Sequence, residues 1–194
     1  ALVRHADAIL TRLTDAEAEL EAIAGLRGGR IRLASFATAG STFVPHAIAT
    51  FHERFPDVEI HLKESDPEES VPLLKAGQLD IAILFEPHGA GDLTDTEQVH
   101  LMEDPMSVVL PQSHPLASKT KVRLKDLQSD PFVQTTESCP CGAIVYDQCR
   151  AVGFEPNVAF ESDDYLTVQG LVAAGVGVAL IPALGLAAYR PDVA

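Results

Sequence analysis

Apolar residues near the start of the chain recur at alternating intervals of four and three positions. They fall at Leu2, Ala6, Ile9, Leu13, Ala16, Leu20 and Ile23. This spacing places all of them on one stripe of a helix, as in a coiled coil. The pattern predicts a helix over residues 1–27 that ends where Gly25, Gly28 and Gly29 lower helix propensity. We interpret the stripe as a dimerisation surface; packing on its own domain is the alternative.

After the glycines the period changes from helix to strand and back. Residues 30–36 and 56–64 alternate apolar and polar side chains, which predicts two strands. Between them, residues 37–55 have a helical period. The expected apolar face of that helix comprises Phe43, Ala47, Ile48, Phe51 and Phe55. The expected N-cap candidates are Thr38, Ser41 and Thr42.

The stretch "SDPEESVPLLKAG" (65–77) predicts a short helix, and "LDIAILF" (79–85) predicts a buried strand. Ser65 or Asp66 is expected to cap the helix, and Gly77 is expected to end it.

The same pattern occurs twice. The tripeptide "ESD" stands at 64–66 and 161–163, and the dipeptide "AG" stands at 76–77 and 174–175, so the offset is 97 to 98 residues. Each copy predicts a strand, a capped helix, a glycine stop and a buried strand. The chain is therefore expected to contain two similar α/β lobes.

The duplication predicts which secondary structure the apolar stretch "LVAAGVGVALIP" (171–182) forms. With the six residues that follow, it has no charge over a length that approaches a membrane span. Its position in the repeat predicts a helix that ends before Gly175 and a buried strand from Val176 to Ile181. A membrane helix would have to continue through Gly175, Gly177 and Pro182, and a dinucleotide loop would follow a strand and open a helix.

Composition adds two restrictions. The 194 residues are 46% hydrophobic and 22% charged, as in ordinary globular proteins, and they fit two lobes of about 100 residues. The net charge of −14 opposes direct binding to nucleic-acid phosphates. Charges at Arg4 and Asp7 interrupt any secretory leader, and three cysteines are too few for a disulfide scaffold, so a cytoplasmic protein is expected.

Several stretches together resemble the effector-binding part of LysR-type transcriptional regulators. They include "GRIRLASFATAGSTFVPHAIATFHERFPDVEI", "LLKAGQLDIAIL", "LPQSHPLA", "VRLKDLQSDPFV" and "GFEPNVAFESDDYLTVQGLVAAGVGVALIP". The resemblance covers about residues 1–185. It implies an α/β fold with two Rossmann-like lobes of the type II periplasmic-binding-protein kind, preceded by a long linker helix.

The resemblance also implies an organisation and partners. The expected regions are a linker helix (1–27), lobe I (30–101), lobe II (102–182) and the start of a return crossover to lobe I (183–194). The expected partners are a small-molecule effector and further copies in a homodimer or homotetramer. Promoter DNA would be bound through a helix-turn-helix module that this sequence lacks.

In this family and fold, a small molecule is expected in the cleft between the two lobes, at the carboxyl ends of the strands. The candidate effector-binding residues are Thr38, Gly40, Ser41, Phe85, Thr135, Thr136, Ser138 and Asp163. The alternatives are that Thr38 only caps a helix, that Phe85 belongs to the core, and that Asp163 and Asp164 only cap the later helix. Amides at helix N-termini favour a small carboxylate, which the carboxylates at 161–164 partly oppose.

The cysteines Cys139, Cys141 and Cys149 allow three interpretations: peroxide sensing, metal binding or inert thiols. Aligned on "VAAG", Cys149 matches the second cysteine of the peroxide-sensing branch of the family, while the reactive first cysteine would fall at Pro140. The seven histidines show no paired metal spacing, and no cofactor or metal is predicted.

The leading hypothesis is therefore an effector-sensing and oligomerisation domain of a transcriptional regulator. The alternatives are a stand-alone solute-binding protein, a thiol-based redox-sensing regulator, and an enzyme with Cys139 or Cys141 as nucleophile. The enzyme is disfavoured because neither cysteine can be given a base or acid partner from the sequence.

Overall fold

The computed structural model of the chain describes residues 6, 9, 12, 13, 16, 28–85, 92–135, 137, 140–187 and 193. The chain divides into two compact units, Ala1–Val99 and His100–Ala194. Most of the predicted leading helix lies outside the described residues. Its described positions are helical, and two residues of the apolar stripe, Ile9 and Leu13, are 60% and 57% exposed. Dimerisation through this stripe stays a prediction.

The first unit is a three-stranded parallel sheet with helical connections. Its elements are β1 (Gly29–Ser35), α1 (Ala37–Ser41), α2 (Phe43–Arg54), β2 (Val58–Glu64), α3 (Pro67–Lys75) and β3 (Ile81–Ile83). The strand order is β2-β1-β3. Ser35 lies opposite both Glu64 and Ile83, so the carboxyl ends of the three strands are level.

The predicted helix over 37–55 is interrupted. α1 and α2 meet at Thr42, whose φ of −116° and ψ of −90° are not helical. Its hydroxyl donates to the Thr38 carbonyl at 2.6 Å, and the Ser41 hydroxyl donates to the same carbonyl at 3.2 Å. The prediction that a hydroxyl caps this helix is therefore wrong, because these hydroxyls satisfy a carbonyl of the preceding turn instead of amides of the next one.

Burial in the first unit also departs from two expectations. Val44 is the buried residue of α2, whereas Ala47 and Phe55 of the predicted apolar face are exposed. β3 was expected to be a buried strand, yet Ile81 is 49% exposed. Among the described strands β3 pairs only with β1. Its other edge therefore has no neighbouring described strand, and the Ile81 side chain is exposed to solvent.

An ion pair joins β1 to the start of β3. The Asp80 carboxylate accepts hydrogen bonds from the Arg32 guanidinium at 2.7 and 3.1 Å and from the Arg32 amide at 2.7 Å. The Arg32 side chain, followed by its amide, holds the pKa of Asp80 below the ordinary value against a smaller opposing effect of burial.

We expect Asp80→Ala to lower the free energy of unfolding by about 2 kcal/mol at neutral pH, because hydrogen bonds to a charged group are lost. A carboxyl with a lowered folded pKa contributes stability above its unfolded pKa of about 3.9 and loses that contribution as pH falls further. The difference from the wild type in urea unfolding should thus shrink below about pH 4. Glu59→Ala is the control, since the Glu59 carboxylate contacts His61 and Arg30 in full exposure to solvent and should contribute much less. An equal loss at pH 3 and pH 7 would contradict this explanation.

The second unit has a four-strand arrangement. Its elements are β4 (Met106–Val109), a 3-10 helix (Leu124–Leu127), β5 (Pro131–Gln134), α4 (Pro140–Ala151), β6 (Asn157–Glu161), α5 (Tyr165–Ala173), β7 (Ala179–Pro182) and a second 3-10 helix (Ala183–Leu186). β4 pairs antiparallel with β7, and β5 pairs parallel with β6. A parallel bridge between Phe132 and Val178 joins these two pairs.

The end of the chain is described only in part. Val193 forms an antiparallel bridge with Pro111, and both residues belong to the second unit. The return crossover to the first lobe, expected to start within 183–194, stays a prediction.

The structure confirms the duplication and the α/β class. The order β1-α2-β2-α3-β3 is repeated as β5-α4-β6-α5-β7, and the two glycine stops, Gly77 and Gly175, have φ of +70° and +79°. The strands β2 and β6 end at Glu64 and Glu161, an offset of 97 residues, whereas the helices that follow differ by 98. The second copy therefore has one additional residue between strand and helix.

The stretch 171–182 contains the helix end and the buried strand that the repeat predicts, but the strand covers Ala179–Pro182 instead of Val176 to Ile181. The four residues of β7 are buried. Ala179 and Ile181 belong to one hydrophobic cluster of the second unit, whereas Leu180, with Val178 just before the strand, belongs to the other. Both faces of the strand are thus covered. Within the described residues, no helix has the length and apolar character needed to cross a membrane.

Candidate functional site

The carboxyl edge of the first unit places hydroxyl groups beside the end of β1. α1 begins two residues after Ser35, so Thr38 and Gly40 lie half-buried there, while Ser41 is exposed. Ser65 follows β2, and its amide donates to the Ser35 carbonyl at 3.1 Å. These residues form the first half-site, which we define as Thr38, Gly40, Ser41 and Ser65.

Ser65 is the residue that the sequence-based choice missed. Its Oγ is buried and has no hydrogen-bond partner among the residues that the structure describes. Ser65 was considered only as a helix cap, but Asp66 occupies the N-cap position of α3 and makes no side-chain cap hydrogen bond. The feature of the sequence that could have identified Ser65 is its position directly after the strand β2. A buried hydroxyl without a partner costs free energy, so a bound polar ligand could satisfy it.

Phe85 lies two residues beyond β3 and is half-buried. Its ring meets that of the buried Phe36 edge to face, with centroids 5.1 Å apart. This contact is worth about 0.5 to 1.5 kcal/mol beyond the area it buries. Phe85 thus packs against a residue at the end of β1, and part of it remains accessible.

The equivalent edge of the second unit carries Thr135 and Asp163, which we define as the second half-site. Thr135 follows β5 directly and is 3% exposed. Its hydroxyl donates to the carboxylate of Asp163, which is exposed. The other carboxylate oxygen of Asp163 has no hydrogen-bond partner among the residues that the structure describes.

Asp164, not Asp163, caps α5. The Asp164 carboxylate accepts from the amides of Leu166 and Thr167 at 3.2 and 3.0 Å. The prediction that both aspartates cap this helix is wrong for Asp163. The additional residue of the second repeat moves the cap to Asp164 and frees the preceding aspartate to bond Thr135.

Replacing Asp164 by alanine should lower the free energy of unfolding by about 1 kcal/mol, the usual effect of losing an N-cap. Asp164→Asn is the matched control, because its amide oxygen can still accept from the helix amides. Urea unfolding followed by circular dichroism measures both. If the alanine and asparagine variants were equally stable, the cap would contribute nothing.

Arg150, near the end of α4, forms ion pairs with Glu137, which lies two residues after Thr135, and with Glu155. Its guanidinium lies 2.8 Å from the Glu137 carboxylate and 2.8 Å from that of Glu155, and it lies over the ring of Tyr146. These carboxylates raise the pKa of Arg150 further above its ordinary value, with the hydrogen bond to Glu155 the largest cause. Burial and nearby carboxylates raise the pKa of Tyr146.

Three of the predicted site residues, Thr136, Ser138 and Cys139, lie outside the described residues. Cys141 is half-buried near the start of α4, and Cys149 is fully buried. Burial raises the pKa of Cys149 to about 11, so little reactive thiolate exists at neutral pH. In the described part of the chain, no three side chains of His, Cys, Asp or Glu are grouped to hold a metal ion.

Comparison with known proteins shows which family the chain is similar to. The family described as "LysR substrate binding domain" matches residues 24–192. The chain is 31% identical to the transcriptional regulator AlsR of Bacillus subtilis over 78% of the chain and 50% of that protein. It is 30% identical to HinK, a LysR family transcriptional regulator from Pseudomonas aeruginosa, with a TM-score of 0.71 over 84% of the chain and 58% of that structure.

A more distant structure shows the shared fold alone. The effector-binding domain of BenM with its effector benzoate is 21% identical, with a TM-score of 0.67 over 86% of the chain and 75% of that structure. The chain spans about half to three fifths of the length of the curated relatives that it matches. Two duplicated α/β units and the family match over most of the chain lead to one conclusion: the chain belongs to the LysR substrate-binding domain family.

Proposed function

We propose that the chain is the effector-sensing and oligomerisation part of a LysR-type transcriptional regulator and that its small-molecule effector binds at these half-sites. The observation that supports this most is the repeated placement of partly buried polar groups at a strand edge. The first unit offers the unpartnered Ser65 hydroxyl, and the second offers Thr135 with Asp163. Ligands of open α/β sheets bind at such carboxyl edges.

The two half-sites offer different chemical groups to a ligand. In the first unit, neither α1 nor α3 has a side-chain cap hydrogen bond. Amides at helix N-termini favour an anion, although Glu68 and Glu69 in the first turn of α3 partly oppose one. In the second unit, Asp164 already occupies the amides of α5, and Asp163 adds a carboxylate. The effector is therefore a small carboxylate whose other end carries a hydroxyl or amino donor for Asp163.

The wider role follows from the family. The full regulator would be a cytoplasmic, non-enzymatic homodimer or homotetramer that binds promoter DNA through a separate helix-turn-helix module. Exposed Ile9 and Leu13 on the leading helix support pairing between copies. Effector binding would change DNA binding only if the effector has different affinities for two states of the regulator.

A thermal-shift screen of small carboxylates and amino acids tests effector binding. A ligand that binds only the folded chain stabilises it by about 2.7 kcal/mol at 100 times its Kd. We expect at least one hydroxy or amino carboxylate to raise the Tm in a saturable way. Stabilisation of the same size in Ser65→Ala and Thr135→Val variants would place the ligand elsewhere and contradict the proposal.

A further inference from the structure

A cavity of about 920 Å³ lies on the loops of the second unit between β4 and β5. Its lining includes Lys119, Arg123, Lys125, Gln128 and Ser129, and we define these five residues as the basic cavity. The volume is within the range of roughly 300 to 1,000 Å³ that is typical of small-molecule sites. The cavity can therefore hold a ligand of the size of a metabolite.

The walls of the basic cavity rest on the hydrophobic core. Leu116, which also lines the cavity, packs with Val122 and Leu124 against a cluster that contains the fully buried Leu127. A 3-10 helix runs from Leu124 to Leu127 and carries Lys125. The backbone that presents the basic side chains is therefore anchored before any ligand binds.

Positive charge is concentrated around this cavity in an otherwise acidic chain. Residues 105–125 contain no aspartate or glutamate, although the chain has 28 acidic residues. The same stretch contains four of the 14 basic residues, namely Lys119, Lys121, Arg123 and Lys125. The local charge is thus opposite in sign to the net charge of −14.

The two acidic side chains of the lining already have partners. Asp126 accepts hydrogen bonds from the Arg123 guanidinium at 2.7 and 3.1 Å. The Leu116 amide donates to His114 Nδ1 at 3.2 Å, which leaves His114 Nε2 to donate to Asp130 at 3.3 Å. Each carboxylate is therefore engaged by a side chain other than the lysines of the cavity.

The two lysines of the basic cavity remain available to a ligand. The Nζ atoms of Lys119 and Lys125 form no ion pair or hydrogen bond within the ranges that the structure describes. The hydrogen bond from Arg123 is the largest cause that holds the pKa of Asp126 below its ordinary value, and the nearby charge of Lys119 contributes to the lowering. Two available ammonium groups at one cavity favour a ligand with more than one negative charge.

A phosphate group fits these donors better than a carboxylate does. Carboxylates are bound best by the planar fork of arginine, but the Arg123 fork is occupied by Asp126. Lysine binds phosphate as a compact point charge, and the Gln128 amide and the Ser129 hydroxyl add neutral donors at the same cavity. We propose that the basic cavity binds a small molecule that carries a phosphate group.

This binding would be additional to that of the effector. Asp130, in the lining of the cavity, directly precedes β5, and Thr135 of the second half-site directly follows it. At about 3.3 Å per residue, the two ends of this strand are about 15 Å apart. The inference thus stands independently of the proposed function, and the phosphate compound would be a second ligand of the chain.

The net charge of −14 does not prevent this binding. At physiological ionic strength, exposed charges separated by more than about 8 Å are largely screened, so a small anion responds mainly to the groups around it. An extended polyanion such as DNA would reach beyond residues 105–125 to the acidic residues of the remaining chain. A small soluble phosphate compound is therefore a better occupant than a nucleic acid.

Isothermal titration calorimetry of the full chain with pyrophosphate tests this inference. We expect saturable binding with a Kd below about 1 mM. Lys119→Gln and Lys125→Gln should each weaken it about tenfold, because each removes a charge-assisted hydrogen bond.

Lys121→Gln is the matched control. It removes the same charge from the same loop, but Lys121 does not line the cavity, so the Kd should change by less than about twofold. An equal loss in all three variants would indicate a response to net charge alone and would overturn the proposal. The absence of saturable binding to the wild type would overturn it as well. Matching urea unfolding curves establish that a loss in a variant is one of binding and not of folding.

Two competitors identify the class of the ligand. Citrate carries a comparable charge on carboxylates alone, so it should displace pyrophosphate only at concentrations at least about tenfold higher. Displacement at equal concentrations would overturn the preference for phosphate. A DNA duplex should not displace pyrophosphate. Binding of the duplex that depends on Lys119 and Lys125, without binding of pyrophosphate, would identify a nucleic acid as the occupant and overturn the proposal.

Discussion

The substitution Gly177→Ala is expected to lower the free energy of unfolding of the second unit by about 3 kcal/mol, at the upper end for overpacking. A Cβ at this position would lie 2.6 Å from the Pro131 carbonyl oxygen and 3.1 Å from a methyl group of Val133. The first contact is to backbone, so no side-chain rotation relieves it. The amide of Val178 donates to the same Pro131 carbonyl at 2.8 Å, so moving the chain away would weaken the junction of β5 and β7.

Two glycines provide matched controls for this effect. Gly29→Ala should change stability by under about 1 kcal/mol, because nothing lies within 4 Å of the added Cβ and its φ is not positive. Gly175→Ala also has space, but its φ of +79° should cost about 1 kcal/mol. Urea unfolding should rank the losses as Gly177 above Gly175 above Gly29. Equal stability of Gly177→Ala and Gly29→Ala would contradict the close approach of Gly177 to the Pro131 carbonyl.

The second large effect concerns effector affinity. Ser65→Ala and Thr135→Val should each weaken binding of the stabilising carboxylate about tenfold, the loss of roughly one hydrogen bond. The two residues belong to different units and share no partner, so the double variant should lose about 100-fold. Isothermal titration calorimetry measures these values.

Ser65→Ala separates binding from folding. Its Oγ is buried without a partner among the described residues, so removing it should leave the stability of the free chain unchanged or slightly higher. A purely structural serine would show the reverse pattern, with lower stability and unchanged affinity. That result would remove Ser65 from the site.

Periodicity and repetition were enough to predict the elements of the fold. Alternating residues located β1 and β2, and the repeat identified residues 171–182 as a helix end followed by a buried strand, because both features depend on local spacing. The break at Thr42 was not predictable, since it depends on hydroxyls that bond to the Thr38 carbonyl. The exposure of Ile81 depends on which strand edges are paired, which no local pattern records.

The site was predicted less completely than the fold. The repeated "ESD" aligns Asp66 with Asp163, but the structure makes Asp164 the equivalent N-cap because of the one-residue difference between the copies. Asp163 differs from Asp164 in that its carboxylate accepts a hydrogen bond from the Thr135 hydroxyl, a contact that depends on the folded chain. Ser65 was missed because its significance lies in the absence of a partner for its buried hydroxyl, which is a property of the packed chain.

A crystal structure of the chain bound to the carboxylate that raises its Tm most is the most direct test of the central claim. The proposed function predicts that the ligand lies within hydrogen-bond distance of half-site residues, namely Ser65, Thr38, Thr135 or Asp163. A ligand that contacts none of these four residues would contradict it.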